Sequence, residues 1–522
     1  MKRISIILSL VMALMCSTSC SDWLDLKPES EIILDEYWKT EQDVEAVLAS
    51  CYKSLTEDDV MARMIVWGEL RSDNLVVGLA GIDMVKRYDM YRILQGNITS
   101  TNAYASWSAF YRTINYCNTL LHYAPYVLER DENFTQADLN RVKAEALTIR
   151  ALSYFYLVRS FKDVPWMSEA SITDNQNYNR KQSPDSVVLK NIIADLKVSK
   201  QYLPTDYGRD DYNHGRFTQY GASALLADIY LWQNDYKNCI NECDYILANP
   251  KFKLESPLNS YTQIFYFGNS TESIFELQFN DDVQKNNMVN ELYGSASAFP
   301  GELSFPTTLA YNPYSGKAGA YSPFYYKVAS NVYESEKDIR AKDSYNVYTN
   351  NIFKYVGLMR IDNTAGTDGS YAYRTRSSNW IIYRLPDIML MKAEALVEQD
   401  QPSTLKKALE LVNTTYARSN SGQDSLVASN YPTRSEMQSL VLRERQRELL
   451  FEGKRWYDLV RMAKREGNTN MLNDYVNHKS SGNAVTLGAP VLNAMYMPIS
   501  LSELEANTLL DQNSYYSTKG TR

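Results

Sequence analysis

Residues 141–161 (RVKAEALTIRALSYFYLVRSF) put Ala144, Leu147, Ala151, Tyr154, Phe155 and Val158 at helical spacing on one stripe. This is the tightest constraint in the chain. A helix with such a face is stable only when other elements cover it, and the small Ala144 and Ala151 let a neighbouring helix come close. Lys162-Asp163-Val164-Pro165 stops the helix, because proline lacks the N–H and crowds the preceding turn. Ser183-Pro184 predicts the next helix start, with Ser183 as N-cap, Pro184 in the first turn and Val188, Ile192 and Leu196 facing inward. Upstream, helical character begins near Tyr37, with Val44, Val47, Leu48 and Cys51 on one face.

Two stretches read as helix pairs. Residues 219–250 look like one tetratricopeptide unit: Leu226, Ala227 and Tyr230 on the first helix, Tyr236 and Cys239 on the second, Pro250 at the close. A second pair runs over 386–413, opened by Pro386, with Ile388, Met391, Ala395 and Leu396, and resuming at Lys406–Asn413 after Gln401-Pro402-Ser403. One pair cannot bury its own face, so the two must meet in space. The expected fold class is therefore all-α, a tetratricopeptide-like scaffold of helical pairs. Residues 280–380, rich in Tyr, Ser, Asn, Gly and Pro, form a long irregular insertion, of the kind that carries function. Ser273–Phe279 alternates like a short strand.

The chain is long enough, at 522 residues, for one large helical domain with insertions. A net charge of -8 with no basic patch argues against nucleic acid as partner. At the N-terminus, Lys2 and Arg3 precede a short apolar run, Ile4–Met15, and then Ser17-Thr18-Ser19-Cys20. Small residues before a cysteine resemble a bacterial lipobox. The expected organisation is a signal peptide over 1–19, a lipidated tether over 20–31 starting at Cys20, and a single domain over 32–522. Cys51, Cys117, Cys239 and Cys243 remain, too few for a disulfide framework; with only three His they suggest buried thiols and no metal site.

These features together resemble the SusD/RagB family of Bacteroidetes surface lipoproteins over nearly the whole chain. The resemblance rests on six ordered motifs: Cys20 with Ser21–Asp25; Glu69–Asn74; Ala144 through Val158 with Asp163-Val164-Pro165; Tyr383–Asp387 leading to Lys392–Ala395; Arg445–Leu449 with Phe451–Leu459; and Met497-Pro498-Ile499 with Glu503–Asn507 and Asn513. The residues read on their own give Trp456, Tyr457, Tyr154, Phe155 and Tyr156 packing roles, and Arg and Glu three or four apart near 443–459 could pair along one helix.

What the resemblance implies is an oligosaccharide-binding protein without catalytic residues or cofactor. It would be held on the outer membrane by acyl chains and partnered with a SusC-like TonB-dependent β-barrel transporter. A shallow sugar site would lie between the early loops and the insertion. Aromatic faces stack on sugar C–H groups, and Asp, Asn and Arg take the hydroxyls. The ligand candidates by type and place are Trp67, Asp73 and Asn74; Tyr314, Tyr321 and Tyr325, with Tyr311, Phe324 and Tyr326 beside them; and Trp380 with Arg374 and Arg376. Two alternatives remain open: peptide or glycoprotein cargo on the same architecture, and a surface glycosidase with paired carboxylates. No HExxH, GxSxG, P-loop or GxGxxG is present.

Overall fold

The computed structural model describes residues 37–77, 84–172, 176–257, 260–293, 324–326, 332–333, 338–344, 352, 354–355, 358–361, 370–373, 377–477 and 492–517. Ten helices of twelve residues or more stand among them: α1 (Glu41–Leu55), α2 (Ser108–Val127), α3 (Gln136–Phe161), α4 (Asp185–Tyr202), α5 (Gln219–Trp232), α6 (Tyr236–Leu247), α7 (Leu385–Glu398), α8 (Pro402–Ser419), α9 (Arg434–Glu448) and α10 (Arg455–Glu466). Thr40 with Asp43, Thr135 with Asp138 and Thr433 with Glu436 form reciprocal capping boxes that start α1, α3 and α9.

The helices stack as neighbours. α2 and α4 flank α3, α4 lies on α5, α5 on α6, and α7 on α8 and α9. The two sequence pairs, α5/α6 and α7/α8, meet through α6 against α7, as their half-covered faces require. The fold is all-α in class. α3 is covered all round rather than along one stripe: Leu152, Leu157 and Phe161 are buried with Ala144, Ala151, Tyr154, Phe155 and Val158, while Leu147 is half-exposed. A separate small core of Leu390, Val397, Leu409, Val412 and Val441 joins α7, α8 and α9.

One start signal is corrected. Ser183 does not cap α4; it pairs with Val164 in a short ladder, and Pro184 occupies the cap position without a side-chain bond. The cap comes from elsewhere: Asp163 Oδ1 accepts from the Asp185 N–H at 2.9 Å. The proline therefore sits one place earlier than the local sequence suggests.

Eight short strands among the described residues make four antiparallel pairs: β1 (Leu75–Val77) with β5 (Phe324–Tyr326), β2 (Val164–Pro165) with β3 (Gln182–Ser183), β4 (Ser273–Leu277) with β8 (Trp380–Arg384), and β6 (Leu358–Ile361) with β7 (Ser370–Tyr373). β4 matches the alternating stretch in the sequence, but every residue in it is buried; it packs against β8, α5 and the short helix Asp210–Gly215. β8 closes the insertion and runs straight into α7. The four cysteines after Cys20 are buried free thiols.

Candidate functional site

The motifs converge on a buried frame. A turn of π-helix, Val66–Leu70, lies directly on the backbone that follows α9. A Cβ on Gly68 would stand 1.9 Å from the Gly453 carbonyl oxygen, so only glycine allows this approach. Gly453 itself has a φ of 71°. The Glu69 carboxylate accepts from the Phe451 N–H at 3.2 Å, the Gly453 N–H at 3.1 Å and the Asn74 amide at 2.7 Å. Burial nevertheless pushes its pKa up to about 7 against those bonds.

Two residues on, Arg71 stacks on Trp456 at 4.2 Å and donates to the carbonyls of Ala494 and Met495, both at 2.6 Å. Asp73 takes a bidentate pair of bonds from Arg455 at 2.8 and 2.9 Å, and Gln446 joins Asp73 to Asn74. The Met497 N–H donates to the Ser160 carbonyl at 2.7 Å, fastening the C-terminal segment to the end of α3. In α7, Asp387 takes Arg445 at 2.9 Å and Lys454 at 2.6 Å. Burial raises that carboxyl, and the two cations more than offset it, to about 2.

Charges along α9 do not pair mainly with their helix neighbours, as the spacing suggested. Glu444 is 3.9 Å from Arg447 but 2.8 Å from Arg340. Glu448 meets Arg340, Arg384 and Arg418, and Glu452 meets Arg384 and Lys354 at 2.6 Å each. Burial opposes ionisation of Glu448, but Arg418, Arg384 and Arg340 outweigh it and hold the carboxyl well below its usual range. The side chains are buried, so a helix-surface pair cannot satisfy them, and tertiary partners must. Arg340 and Lys354 belong to the insertion, which these contacts bolt to α9.

This frame decides where the sequence-derived ligand candidates stand. Trp67 is 1 % exposed, stacked on Phe110 at 5.2 Å, with its indole N–H donating to the Tyr104 carbonyl at 2.8 Å. Asp73 and Asn74 are buried with the partners above. Trp380 is 1 % exposed and stacks on Tyr355 at 4.8 Å. These four are buried in the frame; Trp67, Asp73 and Asn74 turn their polar groups to protein, and Trp380 is packed among aromatic rings. Tyr314, Tyr321 and Arg376, with Tyr311 and Arg374, lie outside the described residues, as does Cys20. The backbone of Tyr325 is placed, in register with Val76.

That register locates the candidate site. Leu75↔Tyr326, Val76↔Tyr325 and Val77↔Phe324 join the segment leaving the frame to the insertion, some 250 residues away in sequence. The helix Met84–Leu94 packs against β1 and against the π-helical turn. Asp89 at its centre takes the Ala103 N–H at 2.9 Å, and the Asn102 side chain donates to the Asp89 carbonyl, fixing the helix to the following loop. On its outer side Tyr88 is 58 % exposed. Arg92 lies over the Tyr88 ring at 4.7 Å and donates to Thr99 Oγ1 at 3.1 Å, and Thr99 and Thr101 hydroxyls are 3.0 Å apart. Lys86 reaches Glu291 at 3.8 Å, on the short helix Asn287–Tyr293 near the start of the insertion.

An exposed ring braced by a guanidinium, with hydroxyls alongside, can stack on the C–H face of a sugar and exchange hydrogen bonds with its hydroxyls. Sequence reasoning passed over Tyr88, Arg92, Thr99 and Thr101. The Tyr88–Arg92 spacing of four on a helix was the available signal. Among the described residues no group of three His, Cys, Asp or Glu is placed to hold a metal ion.

Comparison with known proteins bears on this arrangement. The model of the SusD family matches residues 303–516, and a companion model described as starch-binding associating with outer membrane matches residues 22–231. The chain belongs to the SusD family. SusD-like protein P38 of Formosa agariphila is 26 % identical over 89 % of this chain and 92 % of its own length. SusD-like protein P2 of the same organism is 24 % identical over 87 % and 90 %. Among solved structures, the surface glycan-binding protein A of Bacteroides uniformis superposes with a TM-score of 0.68 at 22 % identity, over 91 % of this chain and all of that one. A SusD homologue of Bacteroides thetaiotaomicron reaches 0.70 at 19 % identity, over 93 % and 98 %. Five of the six sequence motifs lie among the described residues and there form internal wiring of the fold, while Cys20 with Ser21–Asp25 lies outside them.

Proposed function

We propose that this SusD-family chain captures glycans at the cell surface, anchored in the outer membrane through acyl chains on Cys20, and passes oligosaccharides to a SusC-type TonB-dependent transporter. The observation that carries the reading is Tyr88. It is an exposed aromatic, braced by Arg92, on the helix packed against the strand that meets the central insertion. The starch-binding description of the model matching residues 22–231, and the glycan-binding name of the Bacteroides uniformis neighbour, support sugar as the cargo class. Binding without turnover fits a face whose described features are a ring, a guanidinium and hydroxyls rather than facing carboxylates.

The test runs residues 21–522 through native gels containing plant, host and microbial polysaccharides, with a peptide panel beside them. The reading expects retardation by at least one polysaccharide and no release of reducing ends. Retention by peptides alone moves the cargo to peptide or glycoprotein, and released reducing ends make the protein a glycosidase. Labelled palmitate appearing in the full chain but not in Cys20→Ala checks the anchor. Co-purification with a large β-barrel from mild-detergent membranes checks the partner.

A further inference from the structure

Among the described side chains of the Tyr88 face, Arg92 carries a charge with no countercharge. Its terminal nitrogens donate to two neutral hydroxyls, Thr99 Oγ1 at 3.1 Å and the Tyr88 phenol at 3.3 Å. No carboxylate among the described residues lies within ion-pair distance of it. The two acids nearby are engaged elsewhere: Asp89 is buried and accepts from the Ala103 N–H at 2.9 Å, and Glu291 holds Lys86 at 3.8 Å. A guanidinium has five N–H donors. Arg92 Nε is shut away from solvent, and the two bonds to hydroxyls leave one N–H on each terminal nitrogen. The bond to the phenol is solvent-exposed, so this end of the guanidinium is open beside the ring. A sugar hydroxyl would give it one more uncharged partner. A carboxylate or sulfate supplies the missing charge, makes hydrogen bonds about twice as strong, and matches the guanidinium fork.

We infer that the Tyr88 face selects acidic saccharides: Arg92 takes a carboxylate or sulfate carried by a sugar unit, while Tyr88 stacks on the C–H face of that unit or its neighbour. The inference rests on the glycan reading for its site and adds the charge of the cargo. The chain as a whole has a formal net charge of -8 and repels polyanions. Retention of an acidic polymer must therefore come from a local cation, and Arg92 is the one this face offers without a countercharge.

Residues 21–522 are run through native gels containing polygalacturonate, alginate or chondroitin sulfate, each beside its carboxyl-reduced form and the last also beside its desulfated form. Starch and galactan serve as neutral polymers. The expected result is retardation by at least one acidic polymer that disappears when its carboxyls are reduced or its sulfates removed, which names the acid and needs no variant. Arg92→Gln should weaken that retention by about tenfold or more at an unchanged unfolding midpoint. Arg92→Lys, which keeps the charge without the fork, should restore only part of it. Tyr88-dependent retardation by a neutral polymer alone, unchanged in Arg92→Gln, overturns acid selection and leaves the glycan reading standing. Retention as strong by the reduced or desulfated polymer does the same. An equal loss of neutral and acidic polymers in Arg92→Gln also overturns it, because the guanidinium then only braces the ring. If no polysaccharide retards the protein, both readings fall.

Discussion

Glu69 sits wholly out of solvent, between two backbone N–H groups and the Asn74 amide, with no cation among its hydrogen-bond donors. Its pKa of about 7 lies above the ordinary carboxylate value of 4.5. The folded protein therefore takes up a proton between about pH 4.5 and 7 that the unfolded chain does not. Stability from this group is complete below the lower limit and falls by about 3 kcal/mol as pH rises through the upper one. Urea unfolding of Glu69→Gln should show a flatter dependence between pH 5 and 7.5 than the parent, and equal slopes would contradict this. Asp387 acts in the opposite sense at lower pH, since its carboxyl stays ionised down to about 2; its contribution is present above the unfolded value and is lost as pH falls through the folded one. At this scale the sequence was only partly legible. The Glu69–Asn74 motif is visible in the chain, but Asp73 and Asn74 read there as ligand candidates. What decides is Arg455, a partner 382 positions away.

Helices and their pairing were the most legible layer. Periodicity marks α3, the α5/α6 and α7/α8 pairs and the inner face of α4, because each buries a face at 3.6-residue spacing. What spacing cannot carry is contact across the fold. Strand β8 is a short apolar run whose pairing with β4 lies a hundred residues back, and the α4 cap comes from Asp163 rather than from Ser183. The charges of α9 look like surface pairs in sequence and are instead buried among Arg340, Arg384 and Arg418. Removing one partner from such a cluster leaves the rest uncompensated, which costs about 3–5 kcal/mol. Glu448→Gln should therefore lower the unfolding free energy by about that amount and loosen the insertion, read as faster amide exchange at Arg340 and Lys354. A loss below 1 kcal/mol, the range of an exposed pair, would show the cluster to be superficial.

For the whole molecule, the buried thiols offer a check on packing. Hydrogen bonding with the neighbouring thiol, Cys117 and Cys243 respectively, and then burial push Cys51 and Cys239 well above the usual thiol range. Unreactive thiols in native residues 21–522, and four reactive ones after denaturation, are the expected result. The architecture was readable from motifs because those motifs form the frame. The proposed binding face was not, because an exposed Tyr88 leaves no periodic signature and the sequence candidates Tyr314, Tyr321 and Arg376 lie outside the described residues. The central claim is that this face holds sugar, and calorimetric titration of wild type and Tyr88→Ala with an oligosaccharide of the retarding polysaccharide tests it most directly. Loss of one stacked ring is worth about 1.4 kcal/mol, or tenfold in Kd. The account predicts an affinity at least about tenfold weaker in Tyr88→Ala with an unchanged unfolding midpoint. Equal affinity in the two proteins would contradict it and place glycan capture elsewhere on the fold.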